Sequence, residues 1–452
     1  MFAKVNYDYS SKYYFSASVR RDGSSRFGKN NRYAVFPTAS AGWTLSNEKF
    51  LENSNVIDNL KLRASWGGNG NADILEYAQY SIFNMALENS NYDLNGGGSG
   101  TINTGVSANQ VGNPELKWEQ SYQTNIGLDL DLFKKRVNFV VDVYEKKTSD
   151  LLLQIVQPSV LGEAGKTLFF NAGDMTNRGI DVVLGYNSKS QNDFNYGVNL
   201  TFSKYKNKVT RLNNSDNFIL NGISYTGAGH PIGSYFGYVA DGLFRTPEEV
   251  AIHAEQTGKA LGNIRYRDLN GDGVVNQDDR TIIGNPHPDF TYGINLSASY
   301  KQWDLNVFFD GKQGGDMYNA QREMLDFPYF GFNHGKNTLD AWTPENANSL
   351  IPALSTSDTN DQKRASTYFV EDGSFFRMKS VNLSYSFNRD LIKRIGLSSA
   401  KLYVQAENLF SITSFTGFDY EVPGLSRTGI GIAGMGVYPH TKTFSCGFNL
   451  QF

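Results

Sequence analysis

The chain ends on Lys442-Thr443-Phe444-Ser445-Cys446-Gly447-Phe448-Asn449-Leu450-Gln451-Phe452, and this stretch alternates without a break. Phe444, Cys446, Phe448, Leu450 and Phe452 fall on one side; Thr443, Ser445, Gly447, Asn449 and Gln451 fall on the other. A β-strand turns successive side chains to opposite faces. The strand predicted here therefore has one oily face and one face of hydroxyls, amides or bare backbone. A soluble sandwich also uses such strands, with the apolar side against a core.

The same pattern recurs along the chain. Ile126, Leu128, Leu130 and Leu132 alternate with Asn125, Gly127, Asp129 and Asp131. Phe194, Tyr196, Val198, Leu200 and Phe202 alternate with Asn195, Gly197, Asn199, Thr201 and Ser203. Phe290 to Tyr300 repeats the series, and weaker copies run through Tyr13–Val19, Leu60–Trp66, Val137–Val143, Ile180–Tyr186, Trp303–Phe309, Val381–Phe387 and Leu402–Ala406. Each approaches the ~9–11 residues that a tilted strand needs to cross a bilayer. Aromatics cluster at the stretch ends, where an amphipathic ring suits the headgroup layer. The second face carries Asn, Ser, Thr, Gly and Asp, which suit a wet lumen. The expectation is an all-β transmembrane antiparallel β-barrel wall of about thirteen strands.

Composition agrees with that class. In 452 residues there are 26 Tyr and 31 Phe, enough for interfacial girdles, and hydrophobic residues make up 40%. No window approaches the ~18 apolar residues of a membrane helix, which leaves a barrel open because its strands need only every second residue apolar. The net charge of −3 provides no global field to recruit nucleic acid. Cys446, the single cysteine, has no internal disulfide partner and is expected to face lipid or lie buried.

Connections fall into two kinds. Ser10-Ser11, Lys134-Lys135, Ser188–Asp193 and Lys301-Gln302 are short; Ser46–Asn59 and Asn388–Ser398 are modest. Residues 69–117, 206–288, 311–374 and 411–440 are long and rich in Gly, Asn, Asp and Ser. Alternating short and long connections fit short periplasmic turns and long extracellular loops. An odd strand count places the two chain ends on opposite sides, whereas complete single-chain barrels have even counts. The start at Met1 also has no basic, apolar leader. Residues 1–452 are therefore expected to be the C-terminal portion of a longer exported chain.

Several segments, in order, resemble the SusC/RagA family of TonB-dependent outer-membrane transporters. They are Arg20-Arg21-Asp22-Gly23-Ser24-Ser25-Arg26-Phe27, Gly112-Asn113-Pro114-Glu115-Leu116-Lys117-Trp118-Glu119, Asn177-Arg178-Gly179-Ile180-Asp181 and Gly233-Ser234-Tyr235-Phe236-Gly237-Tyr238. Asp268-Leu269-Asn270-Gly271-Asp272-Gly273, Ile283-Gly284-Asn285-Pro286, Gln405-Ala406-Glu407-Asn408-Leu409-Phe410 and the terminal Phe452 complete the series. The resemblance implies the C-terminal part of a plugged barrel of ~22 strands, with the plug domain and TonB box outside this chain. It also implies an outer-membrane location and contact with outer-membrane lipid. Its implied partners are TonB and a SusD-like surface lipoprotein that closes over an oligosaccharide or peptide substrate.

The sharpest local motif is Asp268-x-Asn270-x-Asp272-Gly273-Val274-x-Asn276-x-x-Asp279. It follows the twelve-position calcium loop, with oxygen ligands at positions 1, 3 and 5, glycine at 6, a backbone carbonyl at 7 and a carboxylate at 12. Asp279 stands where Glu is usual, which shortens the last ligand's reach. The candidate ligands are Asp268, Asn270, Asp272, Val274, Asn276 and Asp279, for a structural Ca2+ that stiffens an outer loop; the bland alternative is a polar turn of solvated acids. Upstream, Thr246-Pro247-Glu248-Glu249 predicts a capped helix ending near Gly258.

Other constellations carry less. Gly429-Ile430-Gly431-Ile432-Ala433-Gly434 matches G-x-G-x-x-G but lacks the parallel strand, helix and downstream acid of a dinucleotide site. His230, His253, His287, His334 and His440 show no metal-ligand spacing, and the acids Asp278-Asp279 are adjacent rather than facing across ~5–9.5 Å. No catalytic residue is assigned and no enzyme is expected. Loop aromatics Tyr329, Phe330, Phe332 and Trp342 can stack on a sugar or a peptide, or pack the loop against itself. Energised nutrient import is the leading reading; a receptor for an iron chelate and a surface β-rich glycan-binding module are the alternatives.

Overall fold

A computed structural model describes all residues except 86–91, 94–101, 104, 157–166, 189–192, 214–216, 329–332, 358–360, 423 and 425–428. Thirteen strands make one sheet: β1 (Phe2–Tyr9), β2 (Tyr13–Gly23), β3 (Tyr33–Thr44), β4 (Ile57–Asn71), β5 (Glu119–Leu132), β6 (Val137–Ser149), β7 (Gly173–Asn187), β8 (Phe194–Leu212), β9 (Phe290–Tyr300), β10 (Trp303–Gln313), β11 (Phe375–Ser386), β12 (Ser399–Thr413) and β13 (Thr443–Gln451). Their order in the sheet is their order in the chain, and every neighbouring pair is antiparallel. The count of about thirteen expected from the sequence is met; β1 and β3 are the two strands outside the alternating stretches named above.

Register keeps the two faces apart. Val198 pairs Leu296, which pairs Val307, and Leu200 pairs Ile294, which pairs Phe309. A slip of one residue would exchange the faces. The apolar face is uncovered: Ile126 is 62% exposed, Val143 55% and Phe448 69%. A soluble sandwich would cover these residues with a second sheet, so the alternation does not serve a soluble core. Cys446 lies on this exposed face rather than in an interior. No helix among the described residues is long and apolar enough to cross a membrane.

Aromatic rings collect at both ends of the band. At the short-turn end Trp303 meets Tyr385 at a tilt (4.9 Å between rings) and Tyr13 stacks on Trp43 (6.3 Å). Glu48 accepts from Tyr13 Oη at 2.7 Å and Trp43 Nε1 at 3.2 Å, fixing the polar edges of that pair. At the opposite end Trp66 meets Tyr122 (5.6 Å) and Phe202 meets Phe290 (5.4 Å). From Phe290 to Tyr300 the strand climbs about 33 Å at ~3.3 Å per residue. At the ~40° tilt of barrel strands that projects to about 25 Å, the height of a lipid-facing band.

The short side uses tight turns. Ser10 and Ser11 both hold φ near +54 and +53°, with Lys12 N–H bonded to the Tyr9 carbonyl at 3.0 Å, a type I′ geometry that matches strand twist. The long side is not structureless as its composition suggests. Residues 213–289 contain a four-stranded sheet (Phe218–Asn221, Ser224–Gly227, Ser234–Gly237, Thr281–Gly284). The largest buried apolar cluster lies there, with Tyr235, Leu243, Ile264, Tyr266 and Val275 packed on Tyr318, Phe327, Trp342 and Phe369. A second cluster joins Phe27, Phe36, Leu116 and Trp118. The hydrophobic interior thus sits in the outer connections, above the wall.

Two boundaries differ from expectation. Strand β8 runs on to Leu212, past the connection expected from residue 206, because Lys206, Asn207 and Lys208 stay in register with Arg178, Asn177 and Thr176. Both faces are polar there, which hid the strand. Helix α1 (Pro247–Ile252) opens as expected, with Glu249 N–H donating to Thr246 Oγ1, yet stops short of Gly258. Glu255 instead bonds the next loop, donating to the Gly273 carbonyl at 2.7 Å and accepting from Val275 N–H at 2.8 Å.

These faces predict opposite responses to charge. Leu296→Arg, on the apolar face, is expected to cost about 2–4 kcal/mol of folding into lipid vesicles. Ser297→Arg, one residue on, should cost far less. Urea titration of the vesicle-folded protein measures both, and equal costs would contradict the sidedness.

Candidate functional site

The polar face of the wall is organised by an arginine that crosses a strand. Arg63 on β4 lies opposite Gly127 on β5, which lies opposite Asp142 on β6. Its guanidinium reaches over Gly127 to hold Asp142 with bonds of 2.7 and 2.6 Å, while Nε donates to Asp129 at 3.0 Å. A Cβ on Gly127 would come within 2.6 Å of the guanidinium carbon and 2.7 Å of the Asp142 carboxylate. Only glycine leaves room for this three-strand bridge. Asn125 adds a bond to Asp142 at 2.6 Å.

Where this face meets the outer connections lies a cavity of about 690 Å³, lined among others by Asp310, Lys312, Asp316, Tyr420, Glu421 and His440. Arg377 on β11 governs its wall. It is 2% exposed and grips Asp310 of β10 with two bonds of 3.0 and 2.7 Å. Its remaining nitrogen donates to Glu421 at 2.6 Å, which ties the connection 414–442 to the wall. Paired, two-pronged contacts of this kind fix geometry as well as charge. On the same connection Asp419 accepts from His440 N–H at 2.7 Å and lies 2.6 Å from its Nδ1. Burial pushes the Asp316 carboxyl above its usual range, against the bond it accepts from Asn285 N–H. Both signs of charge, hydroxyls and aromatic rings thus face one space. That set can hold a polar oligomer by hydrogen bonds and ion pairs.

The candidate calcium loop folds back on itself. Asp279 is fully buried and accepts from the N–H groups of Leu269 (2.7 Å), Asn270 (3.3 Å) and Asn276 (2.8 Å). Burial alone would raise its pKa; those three donors overcome it, and the carboxyl sits below the ordinary value. Asp268 accepts from Gly271 and Gly273 N–H, and Asp272 from Val274 N–H. Asn270 Oδ1 accepts from Asp272 N–H, and Asn276 Oδ1 from Asp278 N–H. The oxygens of Asp268 and Asp272 each keep a lone pair, and hard oxygen donors of this kind suit Ca2+. Among the described residues no set of three or more His, Cys, Asp or Glu side chains converges as metal ligands.

The other motifs hold the cap together. Ile430 and Gly431 press on Tyr235, whose Oη donates toward the Ile430 carbonyl at 3.0 Å and the Asp316 carbonyl at 3.2 Å. A Cβ on Gly431 would meet that hydroxyl at 2.4 Å, so Gly431 serves close packing. Leu116 and Trp118 are buried, and Glu119 accepts from Leu152 N–H at 3.0 Å. His287 bridges Ile232 and Tyr205: Nε2 faces a carbonyl and so donates, leaving Nδ1 to accept from Tyr205. Trp342 is buried in the cap, which fits loop packing; Tyr329, Phe330 and Phe332 lie outside the described residues. Arg63 and Arg377 were not singled out from sequence. Arg63 stands at an inward position of an alternating strand, whereas Arg377 has the parity of outward Val381 and Leu383 and is turned inward by the register shift between Met378 and Ser380.

Comparison with known proteins places these features. Residues 1–311 match the family model described as TonB-dependent receptor-like, β-barrel. TonB-dependent receptor P3 of Formosa agariphila is 34% identical over 470 residues, covering 100% of this chain and 45% of that protein. TonB-dependent receptor SusC of Bacteroides thetaiotaomicron is 27% identical over 469 residues, covering 100% of this chain and 43% of that one. The solved RagAB peptide transporter superposes with a TM-score of 0.82 at 27% identity, over 100% of this chain and 47% of that chain. The chain spans less than half the length of these relatives.

Arg377→Ala should leave Asp310 with only its longer 3.7 Å contact to Lys379 and release Glu421, at a cost of about 3 kcal/mol, as for other broken buried pairs. Limited proteolysis within 414–442 should accelerate in step. A connection that stays as protected as in the unmodified protein would remove Arg377 from this tethering role.

Proposed function

Because this chain belongs to the TonB-dependent receptor β-barrel family and is SusC/RagA-like, we propose that it forms the C-terminal part of an outer-membrane importer energised through TonB. Its cargo is a short polar oligomer, an oligosaccharide or an oligopeptide, captured beneath a SusD-like surface lipoprotein. The observation that carries this reading is the wall itself: an uncovered apolar face, a polar inner face, and a mixed-charge cavity at its outer mouth. Further strands close the barrel beyond β1 and β13, each of which pairs on one side only within this sheet. Closure matters because hydrocarbon leaves no partner for a free strand edge. The packed outer connections give a lid a firm surface to dock on. Relatives are receptors and transporters by name, and no reaction is assigned to the mouth cavity.

Uptake of labelled oligosaccharide and oligopeptide pools by cells carrying the intact protein tests this. Import is expected to fall to the diffusive background when TonB is deleted, and steeply when the neighbouring surface lipoprotein is removed. Import unchanged by loss of TonB would overturn the proposal, and the pool that is taken up assigns the cargo.

We further propose that residues 268–279 take Ca2+ as a structural ion, with Asp268, Asn270, Asp272, the Val274 carbonyl, Asn276 and Asp279 as donors. Support comes from the oxygen-only donor set and the turn at Gly273, which holds φ +86°. Binding is expected in the ~10⁻⁴–10⁻³ M range of extracellular sites. Calorimetric titration of the intact protein should show it, and Asp268→Asn with Asp272→Asn should abolish it. Heat of binding that survives both changes would place the ion elsewhere.

A further inference from the structure

Past the lipid-facing band, the outward face of three adjacent strands turns cationic. On β8 the outward series ends at Phe202 and continues as Lys204, Lys206 and Lys208, all exposed. On β7 the outward residue beyond Ile180 is Arg178; on β6 those beyond Val143 are Glu145 and Lys147. The switch from apolar to charged happens on each strand at its outer end, beside the Phe202–Phe290 ring pair.

The arrangement is electrostatically unsatisfied. Register sets Arg178 directly opposite Lys206, and like charges across a ladder repel. Five cations share one carboxylate, Glu145, which pairs with both Arg178 and Lys147. Lys204, Lys206 and Lys208 make no ion pair among the described residues. Lysine stems are long enough to lie along apolar surface while the ammonium reaches a polar layer. Cations at the edge of a bilayer attract anionic headgroups, and the attraction adds up over neighbouring residues.

We propose that Lys147, Arg178, Lys204, Lys206 and Lys208 form a binding site for phosphorylated headgroups of outer-leaflet lipid, whose acyl chains rest on the band below. The charge demands an anion, and continuity with the apolar face demands an amphiphile. The site rests on the lipid-facing assignment of the wall and adds a specific lipid contact to it.

The test uses the intact receptor in phosphatidylcholine nanodiscs doped with a diphosphorylated glycolipid or its dephosphorylated counterpart. Native mass spectrometry counts the glycolipid retained. The unmodified protein is expected to retain the phosphorylated form, and R178Q/K204Q/K206Q/K208Q to lose about tenfold of that retention. K204R/K206R/K208R keeps the charge and should keep the lipid. Equal retention by the neutralised variant, or of the dephosphorylated lipid, overturns the site. Displacement by inorganic phosphate would make it a soluble-anion site and overturn the lipid assignment. Retention of no lipid of any kind, phosphatidylcholine included, would instead overturn the lipid-facing wall.

Discussion

Every feature of this protein depends on a backbone that must satisfy its own hydrogen bonds where no water is available. A meander of antiparallel strands does this by ladder pairing, each strand with the next. Once the backbone is settled, side chains are free to differ completely between faces. The period of two then decides everything else: what meets acyl chains, what meets water, and where charge can be placed at all.

The polar face shows how charge is afforded inside such a wall. Arg63 does not pair along its own strand but crosses Gly127 to reach Asp142, binding three strands with one side chain. Arg377 repeats the principle at the mouth, where it joins two strands to an outer connection. In both cases the guanidinium is held by two or more carboxylates in fixed geometry. Lysine, with a single rotating head, would not reproduce that planar grip. The outer connections, in turn, supply the apolar interior that the wall lacks. The protein is therefore built inside out below and in the usual way above.

Much of this was legible in the residues. The alternation at Phe290–Tyr300 and Thr443–Gln451 specified those strands and their faces, because one face is almost wholly apolar and keeps the period clear. The outer half of β8 was not legible, since Lys204 to Lys208 alternate lysine with Tyr205 and Asn207 and offer no hydrophobic contrast. The end of α1 escaped for a different reason: Glu255 is claimed by Gly273 and Val275, a contact between segments that no local propensity encodes. Arg63 stood in an alternating stretch as an ordinary polar residue, and Arg377 lay just before one, across the register shift between Met378 and Ser380. Their partners lie on other strands, so only register reveals the bridge. The family-like motifs, read as marks of identity, turn out to include packing devices such as Trp118 and Tyr235.

The central claim is that adjacent residues of one strand touch different solvents. Replace Cys446 with Ser, place single cysteines in turn along 290–300 of the intact protein, attach a nitroxide to each, and reconstitute it in bilayers. Collision rates with oxygen, which concentrates in hydrocarbon, and with a water-soluble nickel chelate then report each position's surroundings. The account predicts a strict alternation, with oxygen dominating at 294, 296 and 298 and nickel at 293, 295 and 297. A profile without that period, or one with nickel dominant throughout, would contradict it.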